Sequence, residues 1–509
     1  MTPRARLGWF IRHESRLAWR DFLYLMTAGN RWRARGLVIG VVIFAAILHL
    51  VAWALVGPYA NAGRDPGKTT LLVVTGMALL SLSAMLAQAM ETVTRGLYAR
   101  ADLDLILSSP ASARTCFAVR IGAMPVSITI MILGFAAPFI NVMAWRGGAY
   151  WLCAYAVIPA MAMLAVAVSV LLTMLLFQTI GPKRTRLASQ ILAAVIGAGL
   201  VIFLQVAAIL SYGSMSRTAF LQSPFLLKAA PGPETMIWIP ARAILGDPSA
   251  LAVLVVIAVA ALAAATLMFS RRFAIYALAV AGQSAVFARH RQRDGGFRSM
   301  APAQLLRRKE RVLLVRDPWL MSQSLMQLLY LLPPAVLLWR SFGTGTGATV
   351  VLVPVLVMSA GQLAGGLAWL AVSGEDAPDL IATAPIPPGL VLRAKIEAVL
   401  CMIAMVFGPF IAGLALVSGF AAVIGAIFIV LSAGTATTIQ LWFRAQARRS
   451  YFRRRQTSSR IATFAEAMTS VGWAATSGFA AHGTWLAVVP GVLTLMILGG
   501  VRVMSPAKT

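Results

Sequence analysis

Apolar and polar stretches alternate along this chain at the scale of a bilayer. Runs of about 18 or more hydrophobic residues, each long enough as a helix to cross a ~30 Å hydrocarbon core, recur from one end to the other. They predict about twelve spans. In the first half these are 37–56, 70–90, 121–143, 150–178, 190–210 and 251–269; in the second they are 321–339, 348–372, 396–418, 421–443, 464–481 and 484–501. The last two are short and joined by little more than His482-Gly483. There the pattern also admits a hairpin that enters and leaves on one side.

Polar landmarks between the runs occur twice. Asp104-Leu105-Ile106-Leu107-Ser108-Ser109-Pro110, running on to Arg120, returns as Asp379-Leu380-Ile381-Ala382-Thr383-Ala384-Pro385, running on to Lys395. Arg20-Asp21 corresponds to Arg316-Asp317, and Arg186-Leu187-Ala188-Ser189 to Arg460-Ile461-Ala462-Thr463. One order of landmarks in both halves predicts an all-α integral membrane protein of two parallel six-helix repeats. The expected division is an amphipathic interfacial segment (1–36), a first six-helix unit (37–270), a basic connector carrying a second interfacial helix (271–320) and a second six-helix unit (321–509). A proline-rich stretch, 211–249, joins the fifth and sixth spans and has no counterpart in the second half.

Composition agrees with the pattern. With 60% hydrophobic residues, 12% charged and a mean hydropathy of +0.82, there is too little polar surface to clothe a water-soluble fold of 509 residues. The net charge of +28 invites a nucleic-acid partner, but its distribution supplies another cause. About 37 of the 44 Lys and Arg fall in alternate loops and termini, and about seven in the others, as expected when positive residues stay on the cytoplasmic side. Both termini are therefore expected in the cytoplasm, in a plasma (inner) membrane, with no nucleic-acid partner. Arg448-Arg449 with Arg453-Arg454-Arg455, and Arg307-Arg308-Lys309 with Arg311, suit anionic lipid headgroups. Leu7, Phe10, Ile11, Leu17, Phe22 and Leu25 interleave with Arg4, Arg6, Arg12, Arg16 and Arg20, and Trp9, Trp19 and Trp32 suit interfacial depth. The first apolar run lacks a small-residue cleavage site and is expected to remain as an anchor.

Candidate chemistry is sparse. Ala62-Gly63-Arg64-Asp65-Pro66-Gly67-Lys68-Thr69 matches a loose phosphate-binding loop, but that chemistry needs a strand before the loop, and here a membrane helix precedes it. His13, His49, His290 and His482 stand in no metal-ligand spacing, and Cys116, Cys153 and Cys401 in no paired spacing. The acids gather only as Glu91, Asp102 and Asp104, and as Glu375, Asp376 and Asp379; duplication at equivalent places favours contact over catalysis. All sixteen acids, Glu397 and Glu466 included, lie in loops or within about two turns of a span end, which argues against ion-gradient coupling. His49, Gln205, Gln327 and Gln362 read as helix-to-helix hydrogen bonders.

A surface helix, two spans, an intracellular segment of form Asp-Leu-Ile-x-x-x-Pro headed by further acids and closed by a basic residue, then four more spans, resembles the permease subunit of ABC-2-type exporters. The likeness covers essentially the whole chain as two fused permease units. It implies that the intracellular segments seat in grooves of cytoplasmic ATP-binding-cassette ATPase subunits, two in number, where ATP and Mg would be bound. Docking would fall on Asp102, Asp104, Leu105 and Pro110 in the first copy, and on Glu375, Asp376, Asp379, Leu380 and Pro385 in the second. Secondary contacts would lie at Arg184, Arg186, Arg453 and Arg460. No cofactor, metal or catalytic site is expected on this chain itself, and the cargo implied is amphipathic or lipid-like. Alternatives are a major-facilitator-like carrier, whose Gly-x-x-x-Asp-Arg-x-Gly-Arg loop pattern is missing here, and a polytopic membrane enzyme.

Overall fold

The computed structural model describes residues 31–56, 67–98, 113–212, 220–285, 301–316, 329–340, 349–373, 383–443 and 460–505, together with Arg12, Arg16 and Arg20. The described residues are helical, with no strand among them. In chain order the helices are α1 (Arg31–Val56), α2 (Lys68–Tyr98), α3 (Ala113–Gly147), α4 (Ala154–Tyr212), α5 (Pro224–Ala229), α6 (Ile239–Ile244) and α7 (Pro248–Ala285). They continue as α8 (Pro302–Arg316), α9 (Leu332–Arg340), α10 (Thr349–Ser373), α11 (Pro388–Val417), α12 (Gly419–Phe443), α13 (Arg460–Ala481) and α14 (Val488–Met504).

Nine helical stretches among the described residues are long and apolar enough to cross a membrane, which makes this a multi-pass membrane protein. Two of them come from α4, which breaks at Gly181 (φ 72°, ψ 167°), a backbone conformation open essentially to glycine alone. Of the expected spans, the first is described as apolar helix over Val41–Val56, and the seventh only in part, as α9. The eleventh, α13, is 22 residues long but too polar to qualify. The chain divides into two compact units, residues 1–201 with 216–291, and residues 202–215 with 292–509.

In the first unit the stretch of α4 before Gly181 is the core. Val157, Ala162, Val166 and Val170 are buried beneath Met85 of α2, Ile128 of α3, and Leu254 and Ala258 of α7. Helix α1 packs along α3, with Ala52 and Val56 against Val142 and an edge-to-face contact between Phe44 and Phe135 at 5.7 Å.

In the second unit α10 is central, packed by α11, α12 and α13. Its buried face alternates branched and small residues, among them Leu356, Val357, Ala360, Ala364, Leu367 and Ala368. Gly361 and Gly365 let neighbouring helices come closest, the small-residue device typical of helix packing in lipid. A methyl group on Gly361 would overlap the hydroxyls of Ser432 and Ser470; one on Gly365 would overlap the Glu466 carboxylate. At the end of α9, Arg340 donates to the carbonyl oxygens of Ile209 and Leu210, which the last turn of α4 leaves without helical partners.

Candidate functional site

Helix α10 ends at Ser373 and α11 begins at Pro388, so the second repeated segment is the connection between them. Its described part is Thr383 to Pro387, a tight bend in which Ile386 N–H donates to Ala384 O at 2.7 Å and Pro385 is exposed. Asp102, Asp104, Leu105, Pro110, Glu375, Asp376, Asp379, Leu380 and Arg453 lie outside the described residues. Arg184 is exposed and Arg186 half-buried just past the Gly181 break, which places that expected secondary contact on a helical kink. Arg460 opens α13.

A charged cluster lies where α10 ends and α11 begins. The two helices flanking it start and stop together: Lys395, seven positions into α11, donates its Nζ to Ala371 O near the end of α10. The same ammonium lies 3.1 Å from Glu310 of α8, whose carboxylate is fully buried, and Lys309 approaches it to 3.5 Å. These contacts are ionic and not aligned hydrogen bonds, and they offset the desolvation of a carboxylate that would otherwise be very costly. Farther out, Glu397 accepts from Arg307 at 2.6 Å and from Arg393 at 2.8 Å. That outer trio is solvent-exposed and contributes little to stability.

A second polar locus lies inside the bundle. Glu466 of α13 is buried, accepts a 2.6 Å hydrogen bond from Gln440 Nε2 of α12, and rests on Gly365 of α10. Ser432, Thr437 and Ser470 are buried nearby on the same helices, their hydroxyls without hydrogen-bond partners. Position along the sequence put Glu466 near a span end, where an acid is ordinarily wet; packing encloses it instead. The polar residues of α13 carried the signal, since Glu466, Thr469, Ser470 and Ser477 recur at helical spacing on one face.

The described residues of the proline-rich stretch between the fifth and sixth spans include two short helices, α5 and α6. Ser223 caps α5, accepting from Leu226 N–H at 3.2 Å. Trp238 and Ala241 are buried against Leu71 and Trp151, while Phe225, Met236 and Ile237 are exposed, as suits a segment lying at a membrane interface. Asp247 caps α7 by accepting from Ser249 N–H (2.9 Å), Ser249 Oγ (2.6 Å) and Ala250 N–H (3.2 Å), and takes Arg242 Nη2 at 2.6 Å. Its carboxyl is held down at about 2, first by the Ser249 hydroxyl; burial opposes this, and the Ala250 N–H and Arg242 reinforce it.

Other candidates resolve into packing. His49 bonds to Ala45 O at 2.7 Å and to Asn141 at 3.3 Å, and Asn141 accepts from Tyr155 at 2.7 Å, so this histidine joins α1 to α3 and α4. Lys68, the lysine of the loose phosphate-loop pattern, opens α2 and reaches Ala230 O at 3.4 Å. Among the described residues no group of three or more His, Cys, Asp or Glu converges as a metal site. Comparison of the chain with family models, curated proteins and solved structures gives no match.

Proposed function

We propose that this chain is the transmembrane permease subunit of an ATP-binding-cassette transporter, an exporter of an amphipathic or lipid-like compound in the plasma membrane. In this reading twelve spans form two parallel six-helix repeats with both termini cytoplasmic, and separate ATPase subunits dock on the segments around 91–120 and 373–395. The observation that carries it is the duplicated Asp-Leu-Ile…Pro segment, which joins α2 to α3 in one half and α10 to α11 in the other. Rigid-body displacement of these segments on ATP binding would switch the halves between inward- and outward-open arrangements. Acidic heads on otherwise basic loops supply contrast and register for the dock.

The test is co-purification from native membranes. A stoichiometric ATPase subunit, identified by its nucleotide-binding sequence and lost when Asp104 and Asp379 are both changed to Arg, supports the proposal. Proton-driven transport by this chain alone overturns it.

Buried Glu466 favours a second reading, an ion-coupled carrier, because an enclosed carboxylate among membrane helices is the usual seat of such coupling. Uptake into vesicles driven by an imposed pH gradient, abolished by Glu466→Gln, selects this alternative.

A further inference from the structure

Helix α8 carries five consecutive charges, Arg307-Arg308-Lys309-Glu310-Arg311, and ought to lie wholly in the aqueous or headgroup layer. The one acid among them is the one residue with no exposure at all. Burying an unpaired carboxylate is strongly destabilising, so its partner identifies what the burial is for. The nearer of its two cations, at 3.1 Å against 3.5 Å for Lys309, is Lys395, which comes from another helix and whose side chain is itself 12% exposed. One ammonium therefore joins three elements: it belongs to α11, takes the Ala371 carbonyl near the end of α10, and holds α8 through Glu310. Leu306, one turn before Glu310 and buried, gives α8 an apolar foot on the same side.

We propose that Glu310 and Lys395 form a buried latch that makes α8 move with the two feet of the repeated segment, so that a displacement of 374–387 is passed to the connector helix. Lys395, the basic residue closing that segment, is then a positioning residue turned inward, and not part of the partner's contact surface. The transmission role rests on the docking proposal above, whereas the latch itself does not.

The experiment separates the two. In the full chain, with its three cysteines changed to alanine and held in lipid nanodiscs, a cysteine introduced at Leu306 reports whether α8 is seated, and one at fully buried Val399 of α11 reports whether the fold survives. Glu310→Gln and Lys395→Gln are each expected to speed maleimide labelling at 306 by at least about tenfold, the effect of 1.4 kcal/mol in an opening equilibrium. Labelling at 399 should stay slow. The double variant, in which two neutral amides can bond each other, is expected to return to within about threefold of the parent. Arg393→Ala, which removes only an exposed pair, should change nothing.

Unchanged labelling at 306 in both single variants overturns the latch, as does a parallel rise at 399, which would report general unfolding. In membranes containing the co-purified ATPase, the single variants are expected to keep the partner bound while losing most transport-linked ATP hydrolysis. Failure to find an ATPase refutes the docking proposal and leaves the labelling result to judge the latch. Normal coupled hydrolysis with an open latch refutes the transmission role.

Discussion

Gly365→Ala tests the packing that encloses Glu466. The added methyl would occupy space held by the Glu466 carboxylate, so α10 and α13 must separate or the carboxylate must leave Gln440. Overpacking of this kind costs about 1–3 kcal/mol. Losing the buried Gln440–Glu466 bond instead costs about 1–3 kcal/mol, the penalty for a buried polar group left unpaired. Either route corresponds to a fall in Tm of roughly 2–12 °C for a unit of this size. Thermal unfolding of the detergent-solubilised protein measures it. Gly366→Ala is the matched control: nothing lies within 4 Å of its added methyl, and helix propensity favours alanine by up to about 1 kcal/mol. Glu466→Ala should relieve the clash, so the Gly365→Ala penalty is expected to shrink by about 1–3 kcal/mol in that background. Equal Tm values for the two glycine variants, or an undiminished penalty without the carboxylate, would refute the close approach of α10 to α13.

Three further outcomes are expected. Because the carboxyl of Asp247 is depressed to about 2 from its ordinary 3.8, its stabilising effect is present above about pH 4 and is lost as pH falls through about 2. Asp247→Ala should therefore lower Tm at pH 6 by the equivalent of about 1–2 kcal/mol, as for a lost helix cap, and the difference from wild type should shrink below about pH 4 and vanish only below about pH 2. Gly181→Ala has space for its methyl but not the backbone freedom, and is expected to destabilise by about 1–3 kcal/mol and to alter thiol accessibility of cysteines placed at 184 and 186. Asn141→Leu removes the bridge between His49 and Tyr155; at about 0.6 kcal/mol per hydrogen bond in a bilayer, Tm should drop by only a few degrees.

The helices were legible where apolar runs were long, because a bilayer rewards length and hydrophobicity regardless of neighbours. Thus 348–372 and 421–443 correspond to α10 and α12 almost residue for residue. Boundaries ran longer in the structure wherever polar turns extended a helix beyond its apolar stretch, as in α2 and α7. The break at Gly181 was legible only as a basic loop, since helical continuation through Lys183 and Arg184 depends on backbone geometry that side-chain polarity does not report. Glu466 and Glu310 were placed at wet boundaries because depth was inferred from distance along the chain. Their true environment depends on which helix lies across from them, and Gln440 and Lys395 are far away in sequence. Most of the expected docking residues fall outside the described part of the chain.

The inward-turned polar face of α13 bears on how the protein is made. A helix carrying Glu466, Thr469, Ser470, Thr476 and Ser477 enters hydrocarbon less readily by itself than its apolar neighbours, since acidic and hydroxyl side chains oppose insertion. Helix α14 is mostly apolar, with Arg502 exposed in its last turn, and follows α13 after the turn at Gly483 and a short 3-10 turn at Trp485–Ala487. Gly365 of α10 and Gln440 of α12, which receive the Glu466 carboxylate, both precede α13 along the chain, so the polar face of α13 has its partners already made when it is synthesised.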